Sequence, residues 1–164
     1  MLRPCDTPDA SKQAINAILE KNHHLFVQRP VLLAKKEKIS KSVTQVTIEC
    51  GSGDNIYFKT ASTDVEPPYL AIFELWEGDE RQEYRYELVV PSVECTFRIN
   101  GIDKQAVAYQ FRYEKHSPSH KYPDHIHLME LPAHLYSERI EFGDFFSIIT
   151  NEFVKNGEFF FEDQ

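Results

Sequence analysis

The feature that most constrains the fold is an apolar run joined by a short polar turn to an alternating run. Tyr69 to Trp76 is strongly apolar, and Glu77-Gly78-Asp79-Glu80-Arg81 turns the chain. From Glu83 to Val90 the residues alternate, with Tyr84, Tyr86, Leu88 and Val90 on one side and Arg85 and Glu87 on the other. A period of two marks an antiparallel strand with one face on a core and the other toward water.

The flanking sequence supplies the rest of the architecture. Thr7-Pro8-Asp9-Ala10-Ser11 is a helix start, with proline early and Asp or Ser able to cap. Ala14, Ile15, Ile18, Leu19 and Leu25 follow at helical spacing, which predicts a helix over about 9–24. Phe142, Phe145, Phe146, Ile149 and Phe153 repeat the pattern, which predicts a second helix over about 142–155. Asn156-Gly157 stops it. Residues 31–38 are ambiguous between strand and helix. Ser42 to Cys50 is rich in β-branched residues, Gly51 to Asn55 is a turn, and Ile56 to Thr60 returns, so a hairpin is expected there. Val93–Ile99 and Ala106–Tyr113 read as strands joined around Asn100-Gly101, and His125–Leu131 as a short strand. No linker or repeat interrupts the chain. The expected fold is one α+β domain over residues 1–164, a meandering antiparallel sheet flanked by an N-terminal and a C-terminal helix.

The formal net charge of −8 disfavours non-specific binding to duplex phosphates. Lys35, Lys36, Lys38 and Lys41 crowd together near Arg29 and read as a solvated strand or loop face. Three widely spaced cysteines, with no C-x-x-C, suit free thiols better than a disulfide framework. No run approaches the roughly 18 apolar residues of a membrane span. The expectation is a soluble cytoplasmic protein that does not engage membranes.

Chemistry concentrates elsewhere. Five of the seven histidines, His116, His120, His125, His127 and His134, lie within residues 116–134. Imidazole titrates near neutrality and is the commonest metal ligand. At i, i+2 on a strand, His125 and His127 share a face while Ile126 and Leu128 take the other. His116 and His120 lie on a Pro- and Ser-containing loop that doubles back toward that strand. One reading is a divalent-metal site made by these four histidines, or by three of them with Asp124 or Glu130. Another is metal-free acid–base chemistry on a phosphodiester, with Arg112, Lys115 or Lys121 stabilising the developing negative charge. A third is a pH-sensitive or peptide-binding surface, and a fourth is an exposed loop with no chemical role. His125-Ile126-His127-Leu128-Met129-Glu130 also resembles the His-x-His…Glu motif of cupins, which would imply a metal-dependent enzyme. Here the glutamate falls one or two residues early and Gly143 is far off. His23-His24 closes the first helix and reads as structural.

The segment Val107–His127 resembles the conserved region of the TumE-type toxins of bacterial toxin–antitoxin pairs. In that pattern a strand ends in Arg-Tyr-Asp, a His- and Pro-containing loop follows, and Pro-His-His-x-His closes it. Here the strand ends in Arg112-Tyr113-Glu114. The loop carries His116, Pro118 and His120, and the close is Pro123-Asp124-His125-Ile126-His127. The match spans about 25 of 164 residues. Asp124 stands where the family has histidine, and Glu114 replaces aspartate. The resemblance implies a growth-inhibiting cytoplasmic protein neutralised by a small antitoxin-like partner, with nuclease activity on RNA carried by the histidines. His125 and His127 are the favoured acid–base pair, Arg112 the anion binder, and His116 and His120 accessory. The rival reading is a non-enzymatic interaction module whose aromatic strands form a homodimer or partner interface.

Overall fold

The computed structural model describes residues 5–51, 55–60, 66–91, 95–99, 101–106, 109–115, 124–128, 135–136, 139–155 and 157–159. Helix α1 (Pro8–Lys21) begins where Thr7 Oγ1 accepts the Ala10 N–H at 3.1 Å, with Pro8 at the first position. The cap is Thr7 rather than the expected Asp or Ser. The helix buries Ser11, Ile15 and Leu19 along one stripe, and a short 3₁₀ turn, His23–Leu25, follows. His23 Nδ1 lies 2.8 Å from the Glu20 carbonyl oxygen, which makes it part of the helix end.

The strands follow as β1 (Leu32–Lys38), β2 (Thr44–Cys50), β3 (Ile56–Tyr57), β4 (Tyr69–Glu77), β5 (Glu80–Val90), β6 (Cys95–Ile99), β7 (Ile102–Ala106), β8 (Tyr109–Lys115), β9 (Asp124–Leu128) and β10 (Leu135–Tyr136). Helix α2 (Phe142–Phe153) and a small pair, β11 (Val154–Lys155) and β12 (Glu158–Phe159), end the fold. The main antiparallel sheet has the order β1-β2-β4-β5-β8-β9-β10, with β3 added beside β4. The expected α+β architecture is therefore present, and the ambiguous segment 31–38 is a strand. Gly78 (φ 59°) sits in the two-residue turn between β4 and β5, and Gly101 (φ 77°) turns β6 into β7, a left-handed conformation that glycine adopts without strain.

Two expectations need adjusting. The hairpin around Gly51–Asn55 does not form, because β2 already has β1 on one side and β4 on the other, and Ile56–Tyr57 pairs with β4 instead. Of the strand expected over 106–113, Ala106 belongs to β7, which pairs with β6, and residues 109–113 belong to β8, which joins the main sheet beside β5.

Both helices cover one face of the sheet. Ile48, Leu70, Ile72, Trp76, Tyr84, Tyr86 and Leu88 point from β2, β4 and β5 into one core with Ile15, Leu19, Phe142, Phe145, Phe146 and Ile149 from the helices. Phe145 lies between Phe111 and Tyr113 of β8, at 6.3 and 6.2 Å between ring centroids. Phe159 of β12 is buried against the same core, 5.0 Å from Phe58 between ring centroids.

Candidate functional site

The sheet has two faces, and polar residues on them behave differently. On the helix-covered face, Glu74 is fully buried at the centre of the apolar strand β4. Three side chains donate to its carboxylate: Ser11 Oγ at 2.6 Å, Trp76 Nε1 at 2.8 Å and the Tyr86 hydroxyl. Arg81 approaches from the side, 2.9 Å from the Tyr86 oxygen and 3.6 Å from Glu74 Oε2. Its other terminal nitrogen meets Glu141 at 3.2 Å, just before α2. A β-bulge puts Arg81 here. Leu75 pairs with Glu83 and Trp76 with Arg81, so Gln82 is an extra residue that swings Arg81 onto the same face as Tyr84 and Tyr86. Burial alone opposes the Arg81 charge, but Tyr86, Glu141 and Glu74 outweigh it and raise the pKa. Burial raises Glu141 above the usual carboxylate range, and Arg81 and Arg139 offset only part of that. The Tyr86 phenol is raised further, by burial and then by the charge of Glu74.

This buried network reaches the histidine strand through Tyr84. Arg81 stacks over the Tyr84 ring, 4.3 Å from its centroid. The Tyr84 hydroxyl donates to Asp124 Oδ1 at 2.9 Å and accepts the Ile140 N–H at 3.3 Å. Burial raises the Tyr84 pKa, so the hydroxyl remains a donor. Asp124 begins β9, directly across from Lys115, whose ammonium donates to the Arg81 carbonyl at 2.9 Å. Asp124 and Lys115 are therefore committed on the helix side. Both were named in the sequence reading as alternative contributors, Asp124 as a metal ligand and Lys115 as an anion binder, and both lie on the face opposite positions 125 and 127.

The open face carries the other set. Register places His127 directly opposite Arg112 and His125 directly opposite Glu114. Across β5, Arg112 faces Glu87 and Glu114 faces Arg85. Two adjacent cross-strand rows result, Glu87–Arg112–His127 and Arg85–Glu114–His125. Directly opposed residues in an antiparallel pair have Cβ atoms about 4.5–5.5 Å apart. Strand alternation assigns positions 125 and 127 to the side opposite Ile126, which packs against the core. Arg112 Nη1 lies 3.6 Å from Glu87 Oε2, and both side chains remain partly exposed. Arg85 extends over Phe73, 6.0 Å from its ring centroid.

His116, His120 and His134, together with Lys121 and Glu130, lie outside the described residues. The four-histidine metal set is thus represented by the two positions on β9. Among the described residues, no three His, Cys, Asp or Glu side chains gather closely enough to hold a metal ion. No described helix is long and apolar enough to cross a membrane.

Sequence reading missed Glu74, Arg81, Tyr84 and Glu141 as a connected unit. One signal was present: Glu74 shares the inward parity of Leu70, Ile72 and Trp76, so a carboxylate had to enter the core. The bulge that turns Arg81 toward it leaves no trace in a period-two pattern.

Compared with known proteins, the chain matches no family model, no curated protein and no solved structure.

Proposed function

We propose that this chain acts on RNA as a toxin-like phosphodiesterase, using the open face of β8 and β9. The observation that carries the reading is the register of β8 against β9, which sets His127 beside Arg112 and His125 one pleat away. Phosphodiester transfer needs a base to take a proton, an acid to return one and a cation at the developing charge. Two imidazole positions about 7 Å apart along one strand face, beside a guanidinium, supply those three groups. The partly exposed Glu87, 3.6 Å away, keeps Arg112 aligned and can be displaced by a phosphate that supplies a stronger charge-assisted partner. The resemblance of Val107–His127 to the TumE-type toxins supports the same reading and implies a small neutralising partner. His116 and His120 are accessory in it.

The test is expression of the chain alone in bacteria, with growth and RNA integrity followed at equal protein level. Wild type is expected to slow growth and degrade RNA, while His127→Ala and Arg112→Met relieve both. His24→Ala, an exposed residue of the 3₁₀ turn far along the chain, serves as the control that changes nothing. Loss of one acid or base typically costs about 10² to 10⁴ in rate. The purified protein is expected to show a bell-shaped rate profile with limbs at roughly pH 6–7. A harmless wild type that leaves RNA intact would overturn the enzyme reading.

A further inference from the structure

Far from the histidine strand, β1 ends the sheet, and among the described residues only β2 pairs with it. Its outer side presents backbone donors and acceptors along seven residues, about 23 Å of strand. The large hydrophobic side chains that are exposed among the described residues all lie on or near this edge: Val27, Val31, Leu33, Ile39 and Tyr57. Val31 and Val27 are 60% and 57% exposed, well beyond what the rest of this core-forming set shows. Val27, Val31 and Tyr57 also line an open groove of about 780 Å³ at the head of the strand, beside Arg29 and Pro67. Toward the other end the surface turns cationic, with four lysines and one glutamate between Lys35 and Lys41 in a chain of net charge −8.

We infer that the β1 edge is a docking site for an extended acidic peptide of a partner protein, which adds as a strand beside β1. Its apolar side chains would enter the groove at Val27, Val31 and Tyr57, and its carboxylates would meet Lys36, Lys38 and Lys41. Strand addition takes its affinity from main-chain hydrogen bonds and its specificity from alternate side chains. Lysines on an edge are a common guard against unwanted pairing. Here they discriminate by sign. Parallel pairing of two β1 strands would set one lysine run against another, and full antiparallel pairing would oppose Lys35 to Lys35, so a second copy of this chain offers the lysines no opposite charge but Glu37. A strand of opposite charge meets no such barrier. The pairs that Lys35 and Lys36 make, with Glu49 at 3.5 Å and Asp9 at 4.0 Å, involve highly exposed ammonium groups and yield readily. The hydrophobic residues beside the lysines are mostly aliphatic, which suits a peptide better than stacked bases. This inference does not depend on the chemistry assigned to β9.

The experiment titrates the full chain against a fluorescent eight-residue peptide of alternating valine and glutamate, and against its valine–lysine counterpart. Fluorescence anisotropy and backbone hydrogen exchange are read together. Expected are binding of the acidic peptide alone, weakening with salt, and new protection confined to residues 32–38. Lys36→Glu combined with Lys38→Glu, both on the surface, is expected to weaken binding about tenfold, equivalent to one decade in Kd. The peptide-charge comparison stands even if that variant folds poorly. Any of four results would overturn the proposal: no binding, equal binding of both peptides, protection outside β1, or self-association of the chain through β1. So would a single-stranded RNA oligonucleotide that takes over the same protection in place of the peptide.

Discussion

The two faces of β5 carry nearly the same kinds of residue and put them to opposite uses. Toward the helices, Arg81 and Tyr86 hydrogen-bond with Glu74 and Glu141, and Arg81 stacks over Tyr84. Away from the helices, Arg85 and Glu87 lie in register with positions 114 and 112 of β8 and, through them, with 125 and 127 of β9, and the Arg112–Glu87 pair stays partly exposed. A buried charge is costly unless it is paired, so its partners hold the fold and leave little capacity for a substrate. A half-exposed charge contributes little to stability and can exchange its partner for a ligand. The difference puts fixed charges on one face and exchangeable ones on the other.

The largest expected effect tests the closed face. Arg81→Met removes the cation beside Glu74 and leaves Glu141 with Arg139 alone, and breaking a buried pair from one side costs about 3–5 kcal/mol. Urea denaturation measures it. A loss under about 1 kcal/mol would mean that the network is wet and the contrast between faces is false.

A smaller effect sharpens the contrast through pH. Tyr84 and Tyr86 have phenol pKa values raised mainly by burial. A raised phenol contributes stability that is intact below its unfolded value, near 10, and is lost as pH climbs toward the folded value. Each such group removes up to about 1.4 kcal/mol per pH unit in that window. The urea midpoint is therefore expected to fall steeply above about pH 10, and Tyr86→Phe to reduce the slope by one group's share. An unchanged slope would show that Tyr86 ionises freely in the folded chain.

The smallest effect is on the open face. Arg112→Met is expected to change stability by less than about 1 kcal/mol, because its pair with Glu87 is partly solvated. Loss of RNA cleavage with stability retained is the outcome that separates the faces. Equal damage to both would make Arg112 a structural residue.

The alternation at Glu83–Val90 is enough to separate the two faces of β5. Tyr84, Tyr86, Leu88 and Val90 are buried as their spacing requires, and Arg85 is exposed. Both helices were legible from aromatic and aliphatic repeats, with ends within a few residues of those observed. Partnering across distance was not legible. Nothing local says that Ile56–Tyr57 joins β4 rather than β2, since that depends on which strand edges are already taken. The placement of Arg81 depends on a one-residue bulge, and that of Asp124 on a tyrosine 40 residues earlier in the chain. The pairing of His127 with Arg112 was foreseeable as a shared neighbourhood, but the register that makes them direct neighbours required the sheet.

Arg81 and Glu74 also set an order of assembly. Glu74 meets Ser11, which was synthesised 63 residues before it, so that bond is available as soon as β4 emerges. Arg81 must wait for Glu141, 60 residues later. During synthesis the sheet can grow strand by strand, because chain order and sheet order nearly coincide. Until Glu141 and α2 are made, Arg81 lacks that partner and the apolar face that α2 covers lacks its cover. Domains generally complete themselves only when their last element arrives, and exposed faces of this kind invite chaperones and proteases meanwhile. A transcript truncated before α2 would therefore yield a nascent sheet with an unsealed ionic core, a product that quality control can recognise and remove.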